Sequence, residues 1–141
     1  AEVLGRLGGQ GAWVVHGLDG VDEISVCAKT HVAQWTGNEI REFEIQPSDL
    51  GVGPHNPRDL AGADAIFNAA SIRKVLSGSG IEAARDAVAL NAAAGFVIAG
   101  LEADLSAGLR RAREILSTGR ALVVLEKLVH ATHESATTNR A

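Results

Sequence analysis

"AWVVHGLDGVDEISV", from Ala12 to Val26, decides how the rest of the chain is read. Its first five residues, Ala12 to His16, are almost wholly apolar. Such a run reads as a central strand buried on both faces and parallel to its neighbours. Gly17 to Gly20 is a turn with two glycines. Asp22 and Glu23 then stand side by side before apolar residues resume at Ile24. Two adjacent carboxylates on a loop after a buried strand suit a hard divalent cation. Mg2+ takes oxygen ligands from one or two carboxylates and completes its shell with water and phosphate oxygens. Strand ends in α/β folds are where ligands bind, and Gly17 and Gly20 let a phosphate approach the backbone. On spacing alone the competing reading is a solvated loop with an Asx turn.

Upstream, "AEVLGRLG" (residues 1–8) reads as the last turns of a helix closed by Gly8 or Gly9. The chain is therefore expected to be cut from something larger. Downstream, Ile24 to Cys27 is expected as a short strand. Thr30 to Trp35 and Glu39 to Ile45 pair as a hairpin through "TGNE" (residues 36–39). The second of these alternates strictly, as an edge strand with one face in water does. Pro47 ends it, and residues 47–60 hold all three prolines in a surface loop. The rest reads as helical. Asp64 caps a helix to Ser77, and a second runs from Ile81 to Ala99, apolar nearly all round and expected to be buried. A third starts near Asp104 with Leu105, Leu109, Ala112 and Leu116 on one face. A fourth runs from Arg120 to about His130. Residues 1–130 are thus expected to form one α/β unit, with a partial mixed sheet under packed helices, and 131–141 a polar, frayed or disordered tail.

The 141 residues allow one domain with a real core. A formal charge of −4 argues against a general nucleic-acid binder. The one cysteine, Cys27, excludes an internal disulfide and fits a reducing, cytoplasmic setting. No apolar stretch is long enough to span a membrane.

Three separated motifs resemble one family in the right order. They are "VVHGLDGVDEIS" (14–25), "NAASIRKVLSGSG" (68–80) and "ARDAVALNAAAGFVIAG" (84–100). Together they resemble the C-terminal part of the anthranilate phosphoribosyltransferases, over nearly all of residues 1–130. The resemblance implies the C-terminal portion of a nucleoside phosphorylase/phosphoribosyltransferase-like catalytic domain. It also implies a cytoplasmic, homodimeric transferase of tryptophan biosynthesis. The activity would be transfer of phosphoribose from phosphoribosyl pyrophosphate to anthranilate. In the family the acidic pair after the H-G-x-x-G turn holds magnesium on the diphosphate; it matches Asp22 and Glu23. The family's glycine-rich phosphate loop and its anthranilate-contacting residues precede this region. "GGQG" (8–11) and "GVGPH" (51–55) do not replace that loop, because neither joins a strand to a helix. The isolated chain is accordingly expected to be inactive. The alternatives are a non-catalytic paralogue that binds nucleic acid, or a structural fragment that needs its missing half.

Other residues have plainer readings. His16 positions the turn or is a strand-end histidine. Asp19 reaches a metal through water or sits in a solvated turn. Cys27 is a small core residue. Asp86 and Asn91, polar in an apolar helix, brace the loop side of the sheet through hydrogen bonds. Arg73, Lys74 and Arg85 meet phosphates or face solvent. His130, His133 and Glu134 superficially suggest a ligand cluster, but they fall where the expected tail begins.

Overall fold

A computed structural model describes the backbone of residues 1–138 and the side chains of residues 1–133. A short helix α1 (Glu2–Arg6) precedes strands β1 (Ala12–Gly17), β2 (Thr30–Trp35) and β3 (Ile40–Ile45). Two single 3-10 turns, Pro47–Leu50 and Pro57–Leu60, cross the segment that holds the prolines. Helices α2 (Ala65–Leu76), α3 (Glu82–Ile98), α4 (Leu105–Ser117) and α5 (Arg120–Thr138) follow.

The α/β class expected from sequence holds. Within it, the parallel partners expected for β1 are absent among the described residues. The sheet order is β1-β2-β3, antiparallel at both junctions. Val15 lies opposite Val32, and Val32 opposite Phe43. Because side chains alternate along a strand, Trp13, Val15, Val32 and Phe43 share the inner face. The Trp13 and Phe43 rings meet edge to face, with centroids 5.2 Å apart. β1 is thus an edge strand, and Val14 on its outer face is 44% exposed. β3 is the other edge, as its alternation foretold. On the outer face, Gly5 of α1 sits against the Trp35 ring, and Trp35 Nε1 donates to the Gly9 carbonyl at 2.8 Å.

The core lies between the inner face of the sheet and α3 and α4. Val32, Ile45, Ile24, Val26 and Val52 pack there against Leu90, Ala93, Leu109, Ala112 and Leu116. α3 is not buried all round as expected. Ala83, Asp86, Ala89, Leu90, Ala93 and Ala94 form its buried stripe, while Val88 and Ile98 are exposed. Its small residues let α4 approach closely. A Cβ at Gly108 would lie 2.8 Å from the Ala93 carbonyl oxygen.

Helix starts follow their caps. Asp64 Oδ1 accepts from the Phe67 amide at 2.8 Å, and Asp104 Oδ1 from the Ala107 amide at 2.8 Å. α5 runs past His130 to Thr138, into the segment expected as a tail. No glycine or proline follows Gly119 to stop it. The end of the expected tail, 139–141, lies outside the described residues.

Candidate metal and phosphate loop

Asp22 and Glu23 sit on the connection between β1 and β2, residues 18–29. Both are exposed, while the next three residues, Ile24, Ser25 and Val26, are buried. The pair therefore stands at the rim of the core, on a backbone anchored from both sides.

The upstream anchor is the glycine turn. The Gly17 amide donates to the Val21 carbonyl at 2.9 Å, and the Gly20 amide to the Gly17 carbonyl at 2.8 Å. Gly20 has φ +94°, a conformation L side chains rarely adopt. At Gly17 there is no room for a side chain: a Cβ would lie 2.5 Å from Val21 Cγ2 and 2.6 Å from Asp19 Oδ1.

The downstream anchor comes from α3. Asn91 Oδ1 accepts from the Ile24 amide at 2.9 Å, and Asn91 Nδ2 donates to the Ile24 carbonyl at 3.0 Å. The second Nδ2 hydrogen reaches the Ala87 carbonyl at 3.0 Å. The bracing expected of Asn91 is thus directed at the residue that follows Glu23.

Ser25 organises the rest of the loop. Its hydroxyl donates to Asp19 Oδ2 at 2.7 Å and accepts from the Cys27 and Ala28 amides at 3.0 Å each. Its own amide donates to Thr30 Oγ1 at 2.9 Å. These side-chain bonds replace ladder bonds, so residues 24–27 form a turn rather than the expected strand. Asp19 is occupied as part of this brace. Burial first, then the negative charges of Asp19 and Asp59, push the Cys27 thiol up. At the loop's end Lys29 Nζ donates to Glu44 Oε2 at 2.8 Å. That hydrogen bond, with its charge attraction, holds the Glu44 carboxyl below its ordinary value and lifts Lys29 above its own.

Other candidate residues lie elsewhere. His16 is exposed on β1, opposite His31. Arg73 pairs with Glu126 of α5, and Arg85 Nη1 donates to the Gly78 carbonyl at 3.2 Å. Lys74 lines a largely apolar cavity of about 550 Å³ with Leu60, Phe67, Ile72 and Ile81, a lining that does not include Asp22 or Glu23. Asp86 engages His55 and Arg113, not the β1–β2 loop. His130 and His133 are on α5; the Glu134 side chain lies outside the described residues. Sequence reasoning missed Ser25, Thr30 and His55. Ser25 carried a weak signal, since serine readily bonds amides two and three residues on.

Neither Asp22 nor Glu23 has a hydrogen-bond or ion-pair partner among the described residues. No three His, Cys, Asp or Glu side chains converge among those residues either. Two unspent carboxylates on a braced, solvent-facing loop fit a hard cation that draws its other ligands from water and phosphate. They do not fit a cation that needs a closed cage of protein ligands.

Comparison with known proteins places the chain in a family. The family model described as "Glycosyl transferase family, a/b domain" matches residues 1–122. The chain belongs to that family. Among glycosyl transferase family relatives, the chain is 45% identical over 129 residues to the anthranilate phosphoribosyltransferase of Rhodospirillum rubrum. That match covers 92% of this chain and 37% of the relative. The Mesorhizobium japonicum enzyme of the same name is 46% identical over 129 residues, covering 92% and 38%. The crystal structure of the Thermus thermophilus anthranilate phosphoribosyltransferase superposes with a TM-score of 0.81 at 36% identity. It covers 92% of this chain and 37% of that one. The Saccharomyces cerevisiae enzyme, in complex with PRPP and Mg, gives a TM-score of 0.72 at 27% identity. Coverage there is 81% of this chain and 33% of that one. The chain therefore spans well under half the length of the relatives it matches, and the resemblance drawn from its three motifs is the one these comparisons return.

Proposed function

We propose that the chain is the C-terminal part of a longer anthranilate phosphoribosyltransferase, with residues 1–130 in its catalytic domain. The full-length protein transfers the phosphoribosyl group of phosphoribosyl pyrophosphate to anthranilate, in the cytoplasm and as a homodimer. The observation that carries the reading is the unpartnered Asp22–Glu23 pair, held between the Gly17–Gly20 turn and the Asn91 clamp. The yeast relative's complex with PRPP and Mg supports the ligand class.

In this reading Asp22 and Glu23 hold Mg2+ against the diphosphate. Bound there, Mg2+ would neutralise charge that develops on the departing diphosphate. The chain's own contribution is placement. The turn and the clamp fix the backbone on either side of the two carboxylates, so both stay at one place on the loop where a cation would be held. Among the described residues, this reading assigns no side chain the role of general base. The test is steady-state transfer, followed by loss of anthranilate fluorescence in the presence of phosphoribosyl pyrophosphate and Mg2+. The full-length protein is expected to form product and the 141-residue chain alone is not, since the resemblance puts the family's phosphate loop ahead of this region. No turnover by the full-length protein would sink the reading.

A further inference from the structure

We infer that Asn91, on α3, is a positioning residue for the Asp22–Glu23 pair; this rests on the metal reading above. Asn91 is 67 residues from Ile24 in sequence, yet its amide grips both polar groups of that one residue. A side-chain amide bonded to the N–H and C=O of the same residue imitates a neighbouring strand. It fixes the direction in which the chain leaves Glu23.

The amide orientation is set by chemistry: the Ile24 N–H needs an oxygen, and the Ile24 and Ala87 carbonyls need hydrogens. One acceptor and both donors of Asn91 are thereby used, and no other residue supplies this geometry. Aspartate cannot donate to the Ile24 carbonyl, and alanine leaves both Ile24 groups without a protein partner. Asn91 touches neither carboxylate. Its influence passes through one residue of backbone, from Ile24 to Glu23. The loop's other hydrogen bonds, from Ser25 to Asp19 and Thr30 and from Lys29 to Glu44, lie within the loop or reach the strands and do not tie it to α3. Among the described residues, Asn91 is thus the side chain through which the helical layer hydrogen-bonds the loop, beside the apolar packing of Ile24 and Val26.

The experiment uses the full-length protein and two readouts besides turnover. Hydrogen exchange of the segment containing Ile24 reports the clamp directly. The Mg2+ concentration at half-maximal activity reports the carboxylates. Asn91→Ala accelerates exchange at Ile24 and raises that Mg2+ midpoint by about tenfold or more, in line with residues that orient metal ligands. Asn91→Asp keeps the acceptor for the Ile24 amide but loses both donors and sets a carboxylate against the Ile24 and Ala87 carbonyls, so it raises the Mg2+ midpoint with a smaller effect on exchange at Ile24. Asp86→Ala, five residues away on the same helix, lowers the melting temperature without moving the Mg2+ midpoint. Binding of Mn2+ with phosphoribosyl pyrophosphate, measured by proton relaxation, weakens in both Asn91 variants and not in Asp86→Ala. If Glu23→Gln moves the midpoint and the Asn91 variants do not, Asn91 is merely structural and the inference is overturned. If Glu23→Gln itself leaves the midpoint unmoved, the metal reading falls first, and this inference with it.

Discussion

Asp86 holds two partners with its two oxygens: Oδ2 lies 2.9 Å from His55 Nε2, and Oδ1 accepts from Arg113 Nη2 at 2.9 Å. The Asp86 and His55 side chains are each 9% exposed, whereas that of Arg113 is 44% exposed. One carboxylate therefore ties the proline-containing segment and α4 to α3. Removing it leaves a buried imidazole without its partner. Asp86→Ala costs about 2–3 kcal/mol of stability. That is less than a fully buried pair, because solvent reaches Arg113. Denaturant titration of the full-length protein checks this, and a loss under about 0.5 kcal/mol would count against the tie.

The contact between α3 and α4 at Gly108 sets a second expectation. Gly108→Ala gains helix propensity of up to about 1 kcal/mol. Against that, its Cβ would meet the Ala93 carbonyl oxygen at 2.8 Å and Ala93 Cα at 3.0 Å. Those are backbone atoms, so the helices must move apart, at about 1–3 kcal/mol. The steric term wins, and Gly108→Ala destabilises. Gly108→Val destabilises more. A rise in the denaturation midpoint of Gly108→Ala would show that the helices separate freely.

Cys27 is expected to be a poor nucleophile at neutral pH. Its thiol is pushed up by burial and by Asp19 and Asp59, so less thiolate is present than in a free cysteine. Alkylation by iodoacetamide near pH 8 is slower than for a small thiol. The rate keeps rising with pH after the small thiol has levelled off. Equal pH profiles for the two would contradict the shift.

The free edge of β1 governs the behaviour of the 141-residue chain on its own. β1 pairs only with β2 among the described residues. An unpaired edge offers a row of N–H and C=O groups to other chains. Val14, Ile66, Val124 and Leu128 add exposed apolar surface. The isolated chain self-associates or unfolds at modest temperature. A clean monomer by sedimentation velocity, with a sharp transition at high temperature, would refute this.

The helices were readable from the sequence because their signals are local. Asp64 and Asp104 cap them, and Leu109, Ala112 and Leu116 repeat at helical spacing. The β2–β3 hairpin was readable for the same reason. β1 was recognised as a strand but not as an edge, because an apolar run does not say which neighbours are present. The apolar content of residues 24–27 reads as a strand and hides the Ser25 hydrogen bonds that bend them out of one. At the candidate site, the proposal for Asp22 and Glu23 rests on their chemistry and on the resemblance, both legible in the sequence. The clamp from Asn91 did not, because nothing local links residues 67 positions apart.

The most direct measurement is the Mg2+ dependence of phosphoribosyl transfer in the full-length protein, for wild type, Asp22→Asn and Glu23→Gln, with thermal melts alongside. Both carboxylates are exposed and unpartnered among the described residues, so neither substitution should alter stability much. Each should demand more Mg2+ and lower kcat/KM by about 2–4 kcal/mol of transition-state stabilisation, roughly 30- to 1,000-fold. Unchanged Mg2+ curves, or activity lost only in step with melting temperature, would return Asp22 and Glu23 to an ordinary solvated loop.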